Sequence, residues 1–173
     1  NGYIEKATFY NVYPRVPRGL YINCSRPILS NRDVRIGLQH ATNFQKIIDF
    51  DFRGDAIRLN TFSDGYGRFS NKTITAREFS VEKAAAAFAK AGFTKRGEDG
   101  VLMNDKGQRL SFTITYGRSA FASTLMTRIK EEAIKAGVEY KLEGMDGAAA
   151  FSKTQNKKHE ICFQGWGTIP PFP

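Results

Sequence analysis

His40 and His159 are the only imidazoles among the 173 residues, so chemistry that moves protons through histidine rests on one of them. A hydrolase of the serine or cysteine kind needs a nucleophile within hydrogen-bonding reach of a base that an acid orients. His40, however, falls inside a short amphipathic helical pattern, and His159 begins a strand at the end opposite to Trp166. There is no Gly-x-Ser-x-Gly elbow and no phosphate-cradling glycine loop ahead of a helix. Asp49 and Asp51 are close in sequence, with nothing to place them in a shared cleft. Cys24 and Cys162 stand on strand-like segments at opposite ends of the chain, without metal-ligand spacing to each other or to a histidine. They read as two free thiols or, in an oxidising compartment, as a disulfide between neighbouring strands. The sequence thus offers no catalytic set, no metal site and no cofactor cradle.

Binding is better represented. Trp166 lies between Gly165 and Gly167, at the end of the buried-looking strand His159 to Phe163, and the chain then runs through Thr168 into Ile169-Pro170-Pro171-Phe172-Pro173. Glycines leave the indole uncovered and let backbone approach another surface. Tryptophan offers a large contact face at little entropic cost, and prolines stiffen an exit that has left the sheet. Tyr66, between Gly65 and Gly67 and followed by Arg68, is a weaker case of the same pattern. The plain alternatives are a core tryptophan and a surface turn. Glycine-framed aromatics with scattered arginines suit a ligand that has both apolar and charged parts, such as a peptide.

The elements that must position these residues are clearest in the second half. Leu110, Phe112, Ile114 and Tyr116 alternate with Ser111, Thr113 and Thr115, as a half-buried strand requires. Val101-Leu102-Met103 and the turn Asn104-Asp105-Lys106-Gly107 predict the other arm of a hairpin with it. Ala122, Leu125, Met126, Ile129, Ala133 and Ala136 share one helical face, ended by Gly137. Val138, Tyr140 and Leu142 give another strand, Asp146 caps a short helix to about Asn156, and the Trp166 strand follows. Strand–helix–strand–helix–strand is an α/β unit whose strands run parallel, and ligands meet such sheets at the strands' carboxyl ends. Trp166 is at such an end.

The first half is less regular. Ala7 to Tyr13 and Gly19 to Cys24 read as strands, separated by Pro14-Arg15-Val16-Pro17-Arg18. Asn31 caps a helix carrying Val34, Leu38 and Ala41, and a second short helix carries Phe44, Ile47 and Ile48. Residues 53 to 76 form a long connection of the length that tends to be functional or mobile. Ser80 caps a helix to Ala91, stopped at Gly92 and Phe93.

Apolar and charged fractions of 41% and 25% fit a globular domain, and no run approaches a membrane span. The net charge of +9 raises a nucleic-acid hypothesis, with a small α/β hydrolase as the other rival. The basic residues, however, form no continuous helical stripe and match no nucleic-acid motif. A solvated basic surface, or an acidic ligand or partner, accounts for them better. Beginning at Asn1 without a leader, the chain reads as cut from a precursor.

Gly19-Leu20-Tyr21-Ile22-Asn23, Ser25-Arg26-Pro27-Ile28-Leu29 and Asp33-Val34-Arg35-Ile36-Gly37-Leu38 occur in that order. Phe79-Ser80-Val81-Glu82-Lys83-Ala84, Ala91-Gly92-Phe93, Asp99-Gly100-Val101 and Asp105-Lys106-Gly107 follow, then Ile134-Lys135-Ala136-Gly137-Val138 and Gly165-Trp166. This succession, over about residues 19 to 171, resembles the family 5 extracellular solute-binding proteins, the peptide-, dipeptide- and nickel-binding receptors of ABC importers. Within that family the succession resembles the oligopeptide and microcin-type receptors. The resemblance implies a type II periplasmic-binding-protein lobe, an α/β fold with a mixed sheet flanked by helices. Residues 1–173 would be the distal lobe of a larger two-lobed, monomeric, non-enzymatic receptor, with 168–173 starting the hinge crossing.

Such a receptor would be periplasmic or lipid-anchored outside the cell. It would hold a peptide-like solute between its lobes, deliver it to an ABC permease, and bind no nucleic acid. By this resemblance the ligand lies against Trp166, Gly165, Gly167 and Thr168, with Tyr66 and Arg68 as lid contacts and Tyr21, Asn23 and Arg26 as further contacts. An oxidising compartment would permit a Cys24–Cys162 bond. In oligopeptide receptors of this kind a carboxylate shortly after the Gly-Trp pair holds the peptide's amino terminus. Ile169 stands at that position here.

Overall fold

Alternating apolar and polar residues build the strands, and helices fill the connections between them. The structure, a computed structural model, describes residues 17–165 together with Gly2, Ile4, Glu5, Ala7 and Phe9. In chain order the strands are β1 (Arg18–Ile22), β2 (Phe93–Arg96), β3 (Leu102–Asn104), β4 (Ser111–Gly117), β5 (Glu139–Met145) and β6 (Ile161–Gly165). The helices are α1 (Arg32–Ala41), α2 (Phe44–Asp51), α3 (Val81–Lys90), α4 (Ala120–Ala133) and α5 (Gly147–Gln155).

The main sheet has the order β1-β6-β4-β5. β4 runs parallel to both β5 and β6, as the strand–helix alternation predicts, while β1 runs antiparallel to β6 and makes the sheet mixed. From β4 to β5 the chain steps one way across the sheet, and from β5 to β6 it steps back. Right-handed crossovers therefore put α4 and α5 on opposite faces. The α4 face is the core: Phe112, Ile114, Tyr140 and Ile161 of the sheet pack with Leu125, Met126 and Ile129 of α4 and with Val34 and Leu38 of α1. Each such side chain, almost fully buried, contributes about 1.5–3 kcal/mol.

Local signals set the helix limits. Asn31, Ser80 and Asp146 accept backbone N–H bonds as N-caps, as expected, and Asn43 and Ser119 do the same for α2 and α4. Gly92 and Gly137 take φ of +85° and +81° just past their helices, a conformation that costs other residues steric strain. Ser80 N donates to His40 O at 3.0 Å, and His40 Nδ1 lies 2.8 Å from Glu78 O, so His40 fastens α3 to α1.

Two expectations need correction. β3 pairs with β2 in a separate two-stranded sheet, not with β4. Toward β4 it makes only the Met103–Arg109 bridge and the bond from Leu110 N to Leu102 O. β2 has a single buried residue, Phe93, followed by three exposed ones, so it carries no alternation to read. Cys24 stands in an exposed turn after β1, not on a strand. Tyr21 is the residue opposite Cys162, which puts Cys24 three residues, about 10 Å, further along. A disulfide needs Cα atoms within about 7 Å, and both thiols are free. The segment Ala7 to Tyr13, read as a strand, and the hinge segment 168–173 lie outside the described residues as elements.

Candidate functional site

β4, β5 and β6 end side by side at Gly117, Met145 and Gly165. The turns that follow the first two launch helices at once. Ser119 Oγ accepts from Ala122 N at 3.1 Å to open α4, and Asp146 Oδ1 accepts from Ala148 N and Ala149 N at 2.9 and 3.3 Å to open α5. Arg118 ties the two turns together. Its backbone N–H donates to Met145 O at 2.7 Å, and its guanidinium donates through Nε, at 3.1 Å, and Nη2 to Gly144 O. The antiparallel β1 begins where β6 ends, with Arg18 opposite Gly165. Leu20, Phe163 and Tyr116 form the next row of the sheet below that edge. At the start of α4, Phe121 is 43% exposed and packs edge-on against Phe52 at 5.4 Å between ring centres.

Beneath this edge, on the α5 face, lies a polar seam. Thr115, 1% exposed, donates to Glu143 at 2.6 Å, and Lys153 of α5 reaches the same oxygen at 2.5 Å. The Lys153 ammonium, and then the Thr115 hydroxyl, hold the Glu143 carboxyl below its ordinary range. Cys162 faces Thr154 of α5, and burial pushes its thiol up. Tyr21, across from Cys162, is pushed up by burial and then by that thiol. The seam fixes α5, and with it the Asp146 turn, to the sheet.

The sequence-predicted residues are not gathered in one place. Gly165 is on the carboxyl edge, while Trp166, Gly167 and Thr168 lie outside the described residues. Tyr21 sits mid-strand, its hydroxyl 3.4 Å from Pro17 O. Asn23 and Arg26 are at the opposite edge. Asn23, 8% exposed, donates to Lys157 O and His159 O, and Arg26 donates to His159 O and Lys158 O. Their polar groups hold the α5–β6 loop, away from the carboxyl edge of the parallel strands. Tyr66 and Arg68 belong to a loop whose hydrogen bonds run among Asn60, Thr61, Ser63, Asp64 and Ser70. Arg68 stacks over Phe69 at 5.0 Å.

Sequence reasoning missed Arg18 and Arg118 as edge residues. Arg118 had a legible signal: it directly follows the most regular strand. His40 is bonded to Glu78 O just ahead of α3, and His159 lies just before β6, where burial and then Arg26 and Lys153 push its imidazole down.

With this geometry in place, comparison with known proteins is decisive on one point. Residues 3–173 match the family model described as bacterial extracellular solute-binding proteins, family 5 middle. The chain belongs to the family 5 extracellular solute-binding proteins. That family is one of solute-binding proteins, not of catalysts. A Deinococcus radiodurans protein described as a probable ABC transporter-binding protein is 38% identical over 63 residues, 36% of this chain and 11% of that one. NikA from Brucella suis, solved with Fe(III)-EDTA, superposes at a TM-score of 0.75 with 22% identity, over 90% of this chain and 31% of its own. The oligopeptide-binding protein AppA from Bacillus subtilis, solved with a nonapeptide, gives 0.76 and 22% over 91% and 32%.

These likenesses establish the type II periplasmic-binding-protein lobe architecture. The family 5 chain described here spans about a third of the length of those solved proteins and about a tenth of the Deinococcus protein in the matched stretch. Among the described residues no helix is long and apolar enough to cross a membrane.

Proposed function

We propose that this chain is one lobe of a two-lobed receptor that captures a peptide-like solute outside the cytoplasm and delivers it to an ABC permease. The ligand lies over the carboxyl edge of β4, β5 and β6, against Trp166, Gly165, Gly167 and Thr168. The observation that carries this reading is the place of Gly165. In a family 5 chain, this last described residue of β6 comes level with the ends of β4 and β5 at Gly117 and Met145, and the tryptophan is the next residue in the sequence. Parallel sheets bind ligands at that edge because the connecting turns and helix starts leave backbone donors and short side chains facing outward. Stacking on an indole with backbone hydrogen bonds gives affinity without strict side-chain selection, as a receptor of varied peptides requires.

Tyr66 and Arg68 remain candidate lid contacts, since their loop extends from the α2 end that carries Phe52. The test uses the full-length protein that contains this chain and a mixture of tetrapeptides built from Ala, Leu, Phe and Ser. Trp166→Ala is expected to weaken binding in calorimetry by at least about tenfold, as loss of a tryptophan contact at the centre of a site does, with the thermal midpoint unchanged. Unchanged affinity rejects the assignment.

A further inference from the structure

We propose that the edge of the sheet opposite the candidate site is a docking surface for anionic lipid headgroups, carried by Arg26, Arg32, Arg35, Lys157 and Lys158. The inference goes beyond the reading of the peptide site and does not rest on it. Two stretches far apart in sequence meet at this edge: the loop after β1 with the start of α1, and the loop from α5 into β6. Arg26 joins them. Its guanidinium donates to His159 O at 3.2 Å and to Lys158 O at 2.9 Å, and its own carbonyl accepts from Ser30 N at 2.8 Å. Arg35 turns back onto the same loop, its Nη1 donating to Leu29 O and Ser30 O at 2.9 and 2.7 Å. A run of short bonds thus leads from Arg35 through Ser30 and Arg26 to Lys158.

Charge at this edge is left uncompensated. Residues 23–36 and 156–160 hold these five cations against two carboxylates, Asp33 and Glu160, and Glu160 is engaged with Thr113 N at 2.8 Å. Among the described residues none of the five cations is paired with a carboxylate. Elsewhere the fold supplies such partners: Arg128 has Asp51, Arg109 has Asp99, Lys46 has Glu132 and Lys153 has Glu143. Helix dipoles do not explain the arrangement, because Arg32 and Arg35 stand at the start of α1, where positive charge opposes the macrodipole.

The cations are also held in place from below. Lys157 ends α5 with φ of +54°, in the left-handed region that glycine enters at less cost. Lys157 N donates to Thr154 O and Lys158 N to Lys153 O, both at 3.0 Å. This stop fixes the backbone of both lysines and leaves the two residues exposed. Neutral carbonyls orient Arg26 and Arg35 without cancelling their charge. Several point charges on anchored backbones match an array of phosphate headgroups, to which each lysine or arginine near the surface adds attraction. Nucleic acid fits less well: neither stretch contains a Phe, Tyr or Trp on which a base could stack.

The experiment titrates the full-length protein that contains this chain with extruded vesicles, one set of phosphatidylcholine alone and one with about 30 mol % phosphatidylglycerol. Binding to the anionic set is expected at about 20 mM salt and at least about tenfold weaker binding at about 500 mM, with little binding to the neutral set. Lys157→Gln/Lys158→Gln is expected to weaken binding to the anionic set by about tenfold. Arg53→Gln/Lys72→Gln removes the same charge from exposed residues of the loop after α2 and should leave vesicle binding within about twofold. Equal binding to both vesicle sets, or wild-type binding by the lysine variant, overturns the inference. So does an equal loss in the two double variants, which makes the attraction one of net charge alone. A grip on oligo(dT) that the lysine variant loses, with none on the vesicles, assigns the edge to nucleic acid and overturns the lipid. The peptide site at the far edge is read by its own titration and stands or falls apart from these results.

Discussion

Asn23 Nδ2 donates to His159 O at 2.9 Å and to Lys157 O at 3.0 Å, joining the turn after β1 to the loop before β6 across more than 130 residues of chain. Arg26 adds bonds to His159 O and Lys158 O. Asn23→Ala leaves a buried carbonyl without its donor and is expected to cost about 1–3 kcal/mol, read as a lower midpoint in thermal unfolding. Peptide affinity should stay within twofold of wild type. A variant that keeps its stability and loses affinity would return Asn23 to the binding site.

Gly37 of α1 faces Phe88 of α3 so closely that a Cβ there would lie 2.3 Å from the ring. The ring is fully buried, so it cannot swing aside into solvent. Gly37→Ala should destabilise the domain by about 1–3 kcal/mol, the usual cost of overpacking a core. Adding Phe88→Leu should recover part of that loss, because the two changes share one contact. Urea titration of the single and double variants measures both; a neutral Gly37→Ala would refute the packing described.

The two thiols should differ in reactivity. Cys24 is exposed, whereas Cys162 is 1% exposed and its thiol is pushed up by burial; the thiolate is the reactive form. Native protein at pH 8 is expected to give one thiol to Ellman's reagent quickly, and the second only in denaturant. Finding no reactive thiol in either condition would mean that the pair is bonded.

Glu132 predicts the acid limb of stability. Burial works to raise its carboxyl, but hydrogen bonds from Lys135, Lys46 and Asn43 prevail and lower it from an ordinary 4.5 to about 2. A carboxyl lowered in the folded state contributes stability above its unfolded value and loses it as pH falls through the folded one. Urea midpoints should therefore decline between about pH 5 and pH 2. Glu132→Gln should lower the midpoint at pH 7 and flatten that decline. An unchanged slope would show that other carboxylates control acid unfolding.

The parallel unit was legible because each of its parts carries its own signal. The alternation of Leu110 to Tyr116, the helical face of Leu125, Met126 and Ile129, and the stop at Gly137 each name a structure without help from the rest. β2 was hidden because one buried phenylalanine does not make a pattern. The structural bonds of Asn23 and Arg26 were hidden because polar residues beside a strand end look free in sequence, while the carbonyls they serve come from the far end of the chain. Arg18 needed the register: only when β1 is known to lie beside β6 do Arg18 and Gly165, from opposite ends of the chain, become neighbours.

The pairing of Arg18 with Gly165 also fixes how force enters this domain. The first residue of β1 and the last of β6 are about 5 Å apart, so any chain joined at both points grips the domain by a twin tether. Two such cords, were they to lead on to a second lobe, would bend most readily about the line that joins them. The same closeness brings the start of β1 and the last described residue of β6 to one point on the sheet.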